Sequence, residues 1–245
     1  MTETASASPT RPEQPASTEV NEGVTEAREP APASPLFGTP LWASFQSGFP
    51  DWADKITQKA GSMKSAGASD SDISKVVLQS LVELRRSNAS TALKAPPDNL
   101  KAIAQAFVSN LKFLRQTSVA ACYGFIAEGD MNASVLPLMS EPSRSGPLLN
   151  QSTAVFRAIE AGKQSELSYG TPTKEDFDAL SDELRRRGWA QEDLKLFSDP
   201  QALSSAPHEQ VCKLVTDWFE TQLSLPDGDR KMRLLNASLN PVVAG

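Results

Sequence analysis

The chain has 245 residues, a formal net charge of −6 and a pI near 5.0. That length supports a substantial core, and the acidity gives no general attraction for nucleic acid. Two cysteines are too few for a disulfide framework or a cysteine-type zinc site, and one histidine, His208, leaves imidazole chemistry a single candidate.

Residues 1–35 carry six Pro and six Glu but, beyond Met1, no Leu, Ile, Met or aromatic residue. Such a stretch cannot bury enough apolar area to offset its ordering entropy, so it reads as a disordered Pro/Glu/Ser/Thr-rich tail. It has no apolar h-region of the Sec type. The longest apolar-plus-glycine run, Val119 to Ala127, is nine residues, too short for a bilayer. The expected localisation is therefore cytoplasmic, with Cys122 and Cys212 reduced; leaderless secretion is the alternative.

Residues 36–68 form an aromatic-rich arm and linker. Five of the chain's sixteen aromatic residues fall between positions 37 and 52. Phe37, Leu41, Trp42, Phe45, Phe49 and Trp52 are the candidate docking residues, since so concentrated an apolar face needs a partner. Pro40 and Pro50 bound any helix within it. Three partners suit the face: the protein's own body, a groove on another protein, or a membrane surface. The last is disfavoured because 36–54 hold no Lys or Arg while Asp51 and Asp54 are present. Gly61-Ser62 and Gly67-Ala68-Ser69 read as loops.

Residues 69–129 predict a helical hairpin. The stripe Ile73, Val77, Leu81 and Leu84 marks the first helix, with Ser69 to Ser71 as caps and Arg85-Arg86 at its negative end. Pro96-Pro97-Asp98 opens the second, whose stripe runs Leu100, Ile103, Phe107, Leu111, Leu114, Ser118, Cys122 and Phe125, with a break near 116–118 left open. Residues 130–150 hold Pro137, Pro142, Gly146 and Pro147 and read as a loop. Residues 151–245 form a C-terminal helical subdomain packed on the hairpin. There Thr171 or Thr173 caps a helix that ends at Arg185-Arg186-Arg187-Gly188, where Gly188 at C′ would bring Trp189 onto Leu184 in a Schellman motif. Glu175, Asp176 and Asp178 read as solvated first-turn acids. Pro207 begins a strongly apolar helix through Cys212, Val215, Trp218 and Phe219, and Asp227 caps the last. Phe107, Leu111, Leu114, Cys122, Val215, Trp218 and Phe219 are expected to be buried. Strand patterns and fixed-period repeats are missing from the sequence. The fold class is all-α: an irregular bundle of about six to eight helices.

Chemistry is sparse. The thirteen glycines form no phosphate-binding pattern, so no cofactor is expected. His208 has no second imidazole for a metal site. His208 and Cys212 share a helix face at i and i+4, yet the apolar flanks of Cys212 point to burial instead of nucleophilic catalysis. No catalytic residue is assigned. The expected function is a non-enzymatic helical interaction module (adaptor, regulator or scaffold) with a protein partner, no nucleic acid and no membrane span. A leaderless secreted effector and a cysteine-nucleophile enzyme are the alternatives.

Overall fold

Prolines and small polar caps cut the chain into short helices, and the packing of their apolar faces decides how they assemble. The computed structural model describes residues 34, 36–141, 143–165 and 167–245. The tail expected at 1–35 therefore lies outside the described residues, except for Ser34. That residue is buried, its hydroxyl 3.4 Å from that of Ser74.

Thirteen α-helices and one 3-10 turn appear among the described residues, with no strand. The class is all-α. The helix count exceeds the six to eight expected because proline and serine caps split segments that periodicity alone would merge. Pro40 and Pro50 each occupy the first turn of a helix, α1 (Pro40–Gly48) and α2 (Pro50–Ser65), where the missing N–H costs nothing. Thr39 caps α1 by accepting the Trp42 N–H. Gly61-Ser62, expected as a loop, is helical within α2. One glycine costs a helix only about 1 kcal/mol, and burial of Ala53, Ile56 and Ala60 offsets it.

Ser69 caps α3 (Asp70–Ser87) as the sequence predicts, accepting the Asp72 N–H. After the single turn α4 (Ala89–Ala92) comes α5 (Pro97–Thr117), then α6 (Val119–Glu128). The break at Ser118 is real: its backbone is extended and its hydroxyl accepts the Ala121 N–H, starting a new helix. Residues 130–150 are more ordered than a loop. They hold the 3-10 turn (Gly129–Met131), α7 (Leu136–Ser140) and the start of α8 (Gly146–Gln164), where Pro147 again sits in a first turn.

α5 is the central helix. It runs against α8 and α6, and against α12 (His208–Ser224) and α13 (Asp229–Ala244). The main neighbours of α3 are α2 and α13, so α5 finds its chief partner in α8 and not in the helix preceding it. The α4 turn reaches α8 only because position 162 is glycine: a Cβ there would collide with the Thr91 carbonyl oxygen. Phe107, Leu111, Leu114, Cys122, Val215 and Phe219 are buried as expected, whereas Trp218 is only half-buried.

A second, smaller core joins α9 (Lys174–Arg186) to α12 and α13 through Leu180, Leu184, Trp189, Leu214 and Leu234. Between α9 and α12 lie α10 (Gln191–Ser198) and α11 (Pro200–Ser204). The Schellman end forms: Trp189 N–H donates to the Leu184 carbonyl, Gly188 N–H to that of Arg185, and Gly188 has φ +95°.

Asp176 corrects the reading of solvated first-turn acids. It is buried, closes a capping box with Thr173, and takes a bidentate bond from Arg233 at 2.7 and 2.8 Å. The Arg233 guanidinium, and after it the Thr173 N–H, hold its carboxyl well below the ordinary range. A carboxyl depressed in the fold contributes stability above its unfolded pKa of about 3.9, and that contribution is lost as pH falls below it. Thermal melts from about pH 6 to about pH 2 should therefore decline more steeply for the wild type than for Asp176→Asn. Parallel declines would show that the carboxylate carries no acid-sensitive stability.

Candidate functional site

The aromatic arm is seated on the protein's own body. Leu41, Trp42 and Phe45 are buried, and Phe37 and Phe49 are half-buried. Phe37 packs on Trp42 with centroids 4.4 Å apart, Trp42 on Phe45 at 4.9 Å, and both Phe45 and Phe49 meet Phe156 of α8 edge-on at 5.8 Å. Lys163 Nζ lies 3.8 Å over the Phe49 ring, a cation–π contact that covers its outer side. Of the six docking candidates Trp52 alone is exposed, at 38%. Any partner of the arm would meet Trp52 and the free edges of Phe37 and Phe49.

The cysteines correct a second expectation. Cys122 of α6 and Cys212 of α12 are joined in a disulfide, with Cα atoms 6.2 Å apart, a spacing ordinary for a bridge. They are fully buried, as read, but are not free thiols. The pairing is not legible from the sequence, which does not reveal that α6 and α12 pack side by side. His208 stacks on the Tyr123 ring at 3.8 Å and 9°. Its neighbour Glu209 pairs with Arg115, and Lys213 pairs with Asp217. Nothing here assembles a nucleophile with a base.

An apolar cleft lies elsewhere, with a volume of about 500 Å³ between α5, α6, α12 and α13. Its walls are aromatic. Phe107 of α5 packs against Phe125 of α6 (5.8 Å) and Phe219 of α12 (4.9 Å), while Trp218 stacks on Phe197 of α10 at 4.6 Å. Val215 and Val242 complete the lining. Trp218 is half-buried because it borders this space. Exposed Ala127, Glu128 and Pro241 mark the mouth.

The inner end is polar. Arg85 of α3 and Asp130 are both almost wholly buried, with Nη1 donating to Oδ2 at 2.7 Å. Beside them Gln151 of α8, also buried, accepts a 2.8 Å bond from Asn110 Nδ2 on its Oε1. Sequence reading assigned Arg85 to the helix end and gave Asp130 and Gln151 no role. One signal was present: Arg85 follows Leu81 by four and Val82 by three, so it continues the buried stripe of α3 and has to be partnered inside. The cleft itself has no sequence signature, because its lining comes from separate segments.

Among the described residues no cluster of three metal-ligating side chains occurs, and no helix is long and apolar enough to cross a membrane. Compared with models of protein families, with curated proteins and with solved structures, the chain matches none.

Proposed function

We propose that the chain is a non-catalytic binding protein and that the aromatic cleft holds its ligand, a small apolar molecule. The observation that carries this is a cleft of about 500 Å³ walled by aromatic and aliphatic side chains with few polar groups, which is the usual form of a small-molecule site. Its chemistry supports binding over catalysis. Arg85 and Asp130 engage each other, Glu128 stands at the mouth, and both thiols are tied in the bridge.

Titration with N-phenyl-1-naphthylamine, a neutral apolar fluorophore, tests the reading. We expect saturable binding of one probe per chain, with quenching of tryptophan emission from Trp218. Val215→Trp fills the cleft and should weaken binding about tenfold or more while the protein stays folded. Unsaturable binding, or equal binding by that variant, would overturn the proposal.

The Cys122–Cys212 bridge favours a second reading, of place more than of chemistry. Structural disulfides persist in oxidising compartments, so the bridge supports a secreted protein over a cytoplasmic one. Alkylation of free thiols in intact producing cells and in their medium separates the two. A fully alkylated intracellular pool with none of the chain outside would sink export.

A further inference from the structure

We infer that the cleft selects a neutral amphiphile: an apolar body ending in an uncharged head group that both accepts and donates hydrogen bonds, such as a primary carboxamide. The inference rests on the cleft reading above and concerns its inner end. Three residues at least nine-tenths buried meet there, and each keeps at least one polar atom without a hydrogen-bond partner. Arg85 spends Nη1 on Asp130 and Ser152, Asp130 spends Oδ2 on Arg85, and Gln151 spends Oε1 on Asn110. Asp130 Oδ1 and Gln151 Nε2 make no hydrogen bond, yet neither is sealed from solvent, whereas Arg85 Nε is sealed and Arg85 Nη2 lies against Gly245. One donor and one acceptor are thus left at the end of an apolar space.

Charge decides which head fits. The Arg85–Asp130 pair is internally neutral, so a third charge brought beside it would be buried without a counter-ion, which is costly. A carboxylate would also face Asp130 Oδ1, with Glu128 at the mouth adding to the repulsion, and an ammonium would lie beside the Arg85 guanidinium. A carboxamide meets neither objection. Its carbonyl accepts from Gln151 Nε2, and its N–H donates to Asp130 Oδ1. Turning both the Gln151 and Asn110 amides would present an acceptor in place of a donor and leave the demand for a neutral head unchanged. A site that hydrogen-bonds a head group also rejects the analogue lacking it, because its own buried groups then go unpaired.

Displacement of bound N-phenyl-1-naphthylamine by octanamide, octan-1-ol, octanoate and octylammonium at neutral pH tests this on the wild-type chain. The expected result is that octanamide competes about tenfold or more better than octanoate or octylammonium, with octanol between. Gln151→Met, which keeps length and removes the N–H, should narrow the amide's lead and leave the charged probes unmoved. Octanoate or octylammonium equal to octanamide would overturn the neutral-head assignment while leaving the cleft reading intact. Failure of the fluorophore and of the whole series to bind would overturn the cleft reading and this inference with it. If Gln151→Met does not fold, the wild-type ranking alone decides.

Discussion

Phe45→Ala is expected to lower the free energy of unfolding by about 3–5 kcal/mol, the range for deleting a fully buried phenyl ring. Phe45 has no exposed surface and sits at the centre of the arm's contacts, between Trp42 at 4.9 Å and Phe156 at 5.8 Å. Adding Trp42→Ala enlarges the same cavity, so the double variant should lose more than either single one but less than their sum. Trp52→Ala is the control. Its ring is 38% exposed, and the change should stay within about 0.5 kcal/mol. Urea denaturation of the wild type, the two single variants, the double variant and Trp52→Ala measures all of this. A loss below about 1 kcal/mol for Phe45→Ala would mean that the α1 arm leaves the body readily, and its aromatic face would then again be available to a partner.

The arm shows what a sequence reveals and what it withholds. Its apolar residues at three- and four-residue steps announce a face that has to be covered, but periodicity names faces and not mates. The cover proves to be Phe156 and its surroundings on α8, more than a hundred residues along the chain. The same limit applies to α5, whose stripe is plain but whose main neighbour, α8, is not the helix preceding it. Local signals fared better. The caps Ser69 and Thr173 and the Gly188–Trp189 end depend on chemistry within a few residues, and all are present. Polar residues buried by distant partners were the hardest to read. Asp176 looks like any first-turn acid until Arg233, from the last helix, reaches it. Arg85 and Asp130 lie 45 positions apart and meet only in the fold.

The second large effect concerns the bridge. Cys122 and Cys212 are separated by 90 positions, and closing a loop of that length restricts the unfolded chain enough to stabilise the fold by roughly 4–5 kcal/mol in the chain-entropy account. Reduction of the wild type should remove about that much. The variant Cys122→Ala/Cys212→Ala should lose slightly more, since it also deletes two buried sulfur atoms. Comparing reduced wild type with the alanine variant separates the cross-link from the packing. Thiol counting accompanies it: no free thiol under denaturing conditions before reduction, and both cysteines reactive afterwards. Two free thiols in the untreated protein would mean that the bridge does not form. The bridge also bears on the cleft, because Cys122 lies one turn before Phe125 and Cys212 one turn before Val215, and these residues line facing walls. Cutting the link frees α6 and α12 to part. Apolar probe binding should therefore weaken severalfold on reduction, under conditions where the chain is still folded. Coupling of this kind is reciprocal: a ligand that prefers the bridged form has to make the bridge harder to reduce by the same factor. Measuring reduction with and without N-phenyl-1-naphthylamine checks the coupling from its other side, and equal reduction in both would show that the staple and the cleft act independently.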